Sequence, residues 1–224
     1  MKFEKIANCS DWEVHDLISE KTSRLVKSEI IALSQVEAAT QTAEYRELVI
    51  SIFNSVFYGT NPYESRLVVT GVGKNANIAT KISETMASLG IPSFYLNTTH
   101  APHGDYGFIG PNDGLIHISR SGTTQEMLDV ISHVKVIRPK VFQVLVHCNP
   151  SATPSGCDVD FCVGKVVEGD EHALAPTAST TALLCLLDAI AVSLSSMMGF
   201  ERKDFLALHP AGALGKLLRL ESQS

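Results

Sequence analysis

Residues 115–126 read LIHISRSGTTQE, and how this stretch is read decides the fold. Leu115, Ile116 and Ile118 form a short apolar run of the kind a buried parallel strand shows. The run breaks into Ser119, Arg120, Ser121, Gly122, Thr123 and Thr124. Beyond Glu126, the residues Met127, Val130 and Ile131 recur at helical spacing. The stretch predicts a strand, a hydroxyl-rich turn and a helix. Such a turn gathers backbone N–H groups, hydroxyls and the positive end of a helix at one point, which suits a phosphate. Gly122 permits a left-handed backbone or a close approach. The same hydroxyls would also serve as plain helix caps, and on this stretch alone both readings stand.

The pattern recurs on either side. Residues 66–72 form a β-branched run that stops at Gly71-Val-Gly73-Lys74, and Ile78, Ile82, Met86 and Leu89 follow at helical spacing. Residues 93–97 read as a short strand, followed by a polar loop with His100 and His103-Gly-Asp105. Residues 141–146 and 158–163 supply two further strands. Strands alternating with helices predict an α/β fold, a five-stranded parallel sheet covered on both faces. Ligands of such sheets sit at the carboxyl ends of the strands, where the strand order switches. Both special turns fall at strand ends, which strengthens the phosphate reading.

The chain has 224 residues, 45% of them hydrophobic, a formal net charge of −6 and a pI of about 5.7. That length predicts one domain, residues 1–224, with a helical region over 1–60 and the α/β core over 61–220. No basic block marks a nucleic-acid surface. No run of about 18 apolar residues marks a membrane span, and the mixed, polar first residues lack the apolar region of a signal peptide. Cys9, Cys148, Cys157, Cys162 and Cys185 form no CxxC pair, so reduced cytoplasmic thiols, mostly small packing residues, are expected. In the first 60 residues, Ile30, Ile31, Leu33, Val36 and Ala39, then Leu48, Ile52 and Val56, predict helices whose apolar face must bury against the sheet or another subunit. Pro176-Thr-Ala-Ser-Thr-Thr181 suits the start of a helix through Leu194 that is apolar nearly all round and therefore buried.

Taken together, Gly71-Val-Gly-Lys-Asn75, His103-Gly-Asp, Ser119-Arg-Ser-Gly-Thr-Thr-Gln-Glu126, Leu174-Ala-Pro-Thr-Ala-Ser-Thr-Thr181 and His209-Pro-Ala-Gly-Ala-Leu-Gly215 resemble the sugar isomerase (SIS) domain family over roughly residues 30–220. Among its branches the chain is most similar to the arabinose-5-phosphate isomerases, which interconvert ribulose 5-phosphate and arabinose 5-phosphate on the way to the octulosonate sugar Kdo. The resemblance implies a doubly wound, flavodoxin-like sheet. It also implies a small phosphorylated sugar as partner, no cofactor, no resident metal and a homo-oligomer, most simply a tetramer. The family's catalytic positions fall on Lys74, Glu126, Glu168 and His209. Its substrate-binding positions fall on Gly73, Asn75, His103, Ser119, Ser121, Gly122, Thr123 and Thr124. Where the family often has GMGKSG, SNSGES and HPGG, this chain has GVGKNA, SRSGTT and HPAG, and His100 stands where a glutamate is usual. Family members often carry a pair of CBS domains, and none is expected in this chain.

Aldose–ketose isomerisation moves a proton between C1 and C2 through a cis-enediol. It needs a base for a carbon-bound proton and groups that shuttle protons between two oxygens. Glu126 and Glu168 are carboxylates of the right kind, a histidine such as His209 can donate or accept a proton near neutral pH, and Lys74 can stabilise enediolate charge. Each has an ordinary alternative: a solvated lysine, a first-turn carboxylate, an acid of the loop shared with Asp170 and Glu171, and a packing histidine. His100 and His103, three apart, could take adventitious Zn²⁺. A sugar-phosphate sensor without turnover would need the hydroxyl loop but not the acid–base set, and an isomerase of another sugar phosphate, such as a hexulose 6-phosphate, fits the same residues.

Overall fold

A computed structural model of the chain describes residues 10–59 and 64–210. Helix α1 spans Asp11–Thr40, opened by a reciprocal capping box between Ser10 and Glu13. Helix α2 spans Ala43–Ile52, capped by Thr42, whose hydroxyl accepts the Tyr45 N–H at 3.2 Å, and runs on into a wide π-turn over Phe53–Phe57. Five strands follow: β1 (Leu67–Gly71), β2 (Ser93–Asn97), β3 (Gly114–Ile118), β4 (Phe142–His147) and β5 (Val159–Cys162). Helix α3 (Lys74–Ser88) joins β1 to β2, and α4 (Gln125–Ile137) joins β3 to β4. Helix α5 (Ala178–Met197) and the short α6 (Arg202–Leu208) close the described chain. The expected five strands are all present, shifted by a residue or so at their ends.

The strands pair in parallel in the order β2-β1-β3-β4-β5. The chain leaves β1 in one direction to form β2 and in the other to form β3. Two loops therefore part at the carboxyl ends of β1 and β3, leaving the crevice where doubly wound sheets bind ligands. Leu67, Val68 and Val69 of β1, and Leu115, Ile116 and Ile118 of β3, are buried, as expected of strands covered on both faces. One sheet face packs on α1, α2, α3 and α5, and the other on α4 and the loop after β2.

Helix α5 is, among the described residues, the one helix long and apolar enough to cross a membrane by length and composition. In the fold it is a core helix: Ala178, Ala182, Leu183, Leu187, Ile190 and Leu194 are wholly buried. It is not apolar to the core all round, because Val192 and Met197 face out. The expected apolar face of α1 also divides. Ala32 and Val36 enter the core, whereas Ile30 and Ile31 are 57% and 62% exposed. Trp12, Ile18 and Val26 continue that outward apolar surface. A period-3.6 pattern marks where apolar residues recur, but it does not say whether the same chain covers them.

Candidate functional site

Ser119 leaves β3 at the carboxyl edge of the sheet, fixed by its N–H to the Val146 carbonyl at 3.1 Å, and is 1% exposed. Its hydroxyl lies 3.0 Å from that of Thr124 and 3.5 Å from that of Ser121, and the Ser121 and Thr124 hydroxyls are 3.4 Å apart. Three hydroxyls thus close a triangle at the start of α4. Gly122 donates its N–H to Ser119 Oγ at 3.0 Å, and Thr123 donates its N–H to Ser121 Oγ at 3.2 Å. Thr124 stands at the N-cap of α4 but makes no side-chain capping bond. The capping alternative therefore does not describe Thr124, and a cup of hydroxyls at the positive end of a helix remains. Thr123 is exposed, and its hydroxyl takes no part in the triangle's bonds.

The second turn lies beside the first, because Gly71 pairs with Ile118 across β1 and β3. A Cβ on Gly71 would stand 2.8 Å from the Asn75 carbonyl oxygen, so only glycine lets β1 end this close to α3. Gly73 has φ +62 and starts α3, whose first residue, Lys74, is exposed. Among the described residues, nothing pairs with the Lys74 ammonium. Asn75 is half-buried in the same turn. His103 is exposed in the loop after β2, its N–H bonded to the His100 carbonyl at 2.8 Å. That loop is tied to the glycine turn by Thr98, whose hydroxyl donates to the Gly71 carbonyl at 3.2 Å and lies 2.9 Å from that of Thr70. No group of three metal-ligating side chains occurs among the described residues.

Glu126 is the second residue of α4 and is exposed. Glu168 is the opposite case, 2% exposed and seated at the start of α5. Its Oε2 accepts the N–H of Thr177 at 2.9 Å and of Ser179 at 3.1 Å, and its Oε1 accepts the Ser179 hydroxyl at 2.5 Å. Arg120 Nε completes the set with a 3.0 Å ion pair to Oε1. Burial pushes this carboxyl up, but the Ser179 hydroxyl, the two N–H groups and the Arg120 charge outweigh it and hold the acid below its ordinary range. Arg120 therefore joins the cup's loop to the start of α5.

Among the described residues, His209 has no hydrogen bond, ion pair or ring contact with these groups. It follows α6, its ring stacked on Phe205 at 3.8 Å and its Nδ1 2.8 Å from the Phe205 carbonyl. Phe205 lines a groove with Leu89, Val192 and Ser195, and Ser195 bonds the Leu89 carbonyl where α3 ends. Helix α3 starts at the carboxyl edge of the sheet, so its end marks the amino edge. From Ser179, beside Glu168, to Val192 is 13 residues along α5, roughly 20 Å. Ala211 and the residues of the last motif beyond it lie outside the described residues.

Pattern reading misses the support that β4 gives the cup. Asn149 donates its side-chain amide to the Ser121 carbonyl at 3.0 Å, and Cys148 donates its N–H to the Arg120 carbonyl at 3.1 Å. The His147 ring lies under Gly122, where an added Cβ would come within 3.3 Å of it and 2.9 Å of Ala152. Burial lowers the His147 pKa, partly offset by Asp160. Cys148 is a buried thiol pushed up to about 12, a packing residue and no nucleophile. The signal in the sequence is the polar run His147-Cys-Asn149 at the end of an apolar strand.

Comparison with known proteins bears on the family and the fold. The family model described as the SIS domain matches residues 63–193. The chain is 41% identical over 156 residues to arabinose 5-phosphate isomerase KdsD of Yersinia pestis, a match covering 69% of this chain and 47% of the relative. The chain spans about half the length of the curated relatives it matches. Among solved structures, one from E. coli CFT073 in complex with arabinose 5-phosphate is 30% identical with a TM-score of 0.72, covering 88% of this chain and 97% of that one. A Bacteroides fragilis protein assigned as a phosphosugar isomerase involved in capsule formation is 28% identical with a TM-score of 0.76, covering 86% and 97%.

Proposed function

The chain belongs to the SIS domain family, and from that premise we propose that it is a sugar-phosphate isomerase interconverting ribulose 5-phosphate and arabinose 5-phosphate through a cis-enediol. The observation that carries this reading is the triangle of Ser119, Ser121 and Thr124 hydroxyls at the carboxyl end of β3, with Lys74 and Glu126 exposed in the first turns of α3 and α4. Held by its phosphate in the cup, a five-carbon chain would lay C1 and C2 among the acid–base groups. Lys74 would stabilise charge on the enediolate oxygens. His103, Gly73, Asn75, Gly122 and Thr123 would line the sugar. The proposed reaction needs no redox cofactor.

His209 enters this reading from a second copy of the chain. It follows α6, whose Phe205 lines a groove at Val192, roughly 20 Å along α5 from Ser179, and that placement argues against a role in its own site. Its Nδ1 faces the Phe205 carbonyl, so the proton sits there and Nε2 is left as the exchanging nitrogen. The exposed apolar side chains of α1 supply a surface for such an assembly, most simply a tetramer. A cytoplasmic enzyme supplying arabinose 5-phosphate for Kdo fits the unpaired cysteines Cys148, Cys157, Cys162 and Cys185.

Pure protein incubated with pentose and hexose phosphates, and followed by NMR, tests the reading. Conversion of arabinose 5-phosphate to ribulose 5-phosphate, undiminished by EDTA, is expected. Conversion of a hexulose 6-phosphate alone would replace the substrate, and loss of activity in EDTA restored by Zn²⁺ would replace the mechanism.

A further inference from the structure

The two carboxylates near the cup are set in opposite ways. Glu168 meets five donors: the N–H and hydroxyl of Thr177, the N–H and hydroxyl of Ser179, and Arg120 Nε. A carboxylate offers about four lone-pair directions. To take a proton from carbon, Glu168 would have to leave a donor unpaired at a helix start, which is costly in a buried place. Its ionisation is framed by Arg120 and the Cys148 thiol on one side, and by Glu20, Arg24 and Lys27 across a groove of about 540 Å³ between α1 and residues 167–169.

Glu126 is exposed and, among the described residues, without a partner. Residues 126, 129 and 133 share one stripe of α4, at steps of three and four. His133, on that stripe, packs against Tyr106 with the rings tilted at 35° and 4.4 Å apart, and Tyr106 belongs to the loop that carries His103. Glu126 lies two residues beyond Thr124 of the hydroxyl cup, in the exposed first turn of α4, and the same helix meets the His103 loop through His133.

We propose that Glu126 is the carboxylate that moves the carbon-bound proton, and that Glu168 is a positioning residue, a fixed anion tying the cup's loop to α5 through Arg120. The assignment rests on the isomerase reading. In the aldose-to-ketose direction Glu126 takes the proton from C2. The C2–H electron pair becomes the C1=C2 bond, and the carbonyl pair of C1 moves to O1, which takes a proton from the enzyme's acid. The enediol then collapses. O2 gives its proton back to that acid, C2=O forms, and C1 receives a proton from the Glu126 carboxyl, which exchanges with solvent while the enediol is bound. No electron leaves or enters.

Exchange of solvent deuterium into the sugar at C1 and C2 reports this proton transfer. Glu126→Gln is expected to lose exchange by about 10²–10⁴-fold while still binding arabinose 5-phosphate by calorimetry. Folded Glu168→Gln is expected to keep exchange well above that floor. Exchange at the wild-type rate in Glu126→Gln, or an equally deep loss in folded Glu168→Gln, overturns the assignment. If Glu168→Gln does not fold, Ser179→Ala takes its place. There the Glu168 carboxyl, followed by ¹³C NMR, should titrate at higher pH than in the wild type while exchange persists, and an unchanged titration overturns the proposal. If the wild type exchanges and converts no sugar phosphate, the isomerase reading falls. The ¹³C titration still decides the fixed anion, and Glu168 titrating like an exposed glutamate would refute it.

Discussion

Ser121 is the residue at which the cup can be loosened without unsettling the strand beneath it. It is half-buried, and its hydroxyl lies 3.4–3.5 Å from its two neighbours in the triangle. A hydrogen bond to a charged phosphate is worth about 1.5–3 kcal/mol, so Ser121→Ala should raise KM for the sugar phosphate by about tenfold or more. An unchanged KM with full activity would take this loop out of the site. His117, in the middle of β3, makes a prediction about pH. Gln143 donates its amide to the Ile131 carbonyl at 3.2 Å, which leaves its oxygen to accept from His117 Nε2 at 3.0 Å. The ring is thereby held as the neutral Nε2–H tautomer. Burial drives its pKa down from 6.5 to about 4, against smaller upward pulls from Gln143 and Asp160. Below pH 6.5 the unfolded chain binds a proton here that the folded chain refuses. Stability should therefore fall between about pH 6.5 and 4, by about 3 kcal/mol from this ring, and this contribution should level off below. A His117 ring that titrates near 6.5 by NMR would contradict this.

Loops and helix starts carry the next scale. The Gly122 turn has φ +71, and a Cβ there meets Ala152 at 2.9 Å. Gly122→Ala should cost about 1–2 kcal/mol of stability and raise KM more than Ser121→Ala does. Equal effects of the two changes would mean that the turn's shape is unimportant. Both turns, all five strands and the cup were legible in the sequence, because apolar runs broken by glycine or hydroxyls leave local marks. What was not legible depends on chain segments far apart. The surroundings of Glu168 come from Arg120 at one strand end and Ser179 at a helix start, 59 residues apart in sequence. Asn149 and His147 support a loop to which no periodicity links them. Ile30, Ile31, Leu33, Val36 and Ala39 read as an apolar face that buries against the sheet or another subunit; their own chain covers Val36, part of Ala39 and the neighbouring Ala32, and leaves Ile30 and Ile31 mostly exposed.

At the scale of the molecule, that uncovered stripe and the distant His209 point the same way. If one copy supplies Glu126 and the next supplies His209, then inactive Glu126→Gln and inactive His209→Asn should restore part of each other's activity. Restoration requires dissociation and reassembly into mixed oligomers, in which some sites hold both intact residues. A monomeric mass by light scattering, or no recovery in verified mixed oligomers, would count against a shared site.

Isomerisation through a cis-enediol at the β1/β3 crevice is tested most directly in D₂O. The pure protein is given arabinose 5-phosphate with no cofactor, and the position of deuterium is read by NMR. Ribulose 5-phosphate carrying solvent deuterium at C1 is the predicted result. Unchanged arabinose 5-phosphate, or ribulose 5-phosphate formed without deuterium, would contradict it.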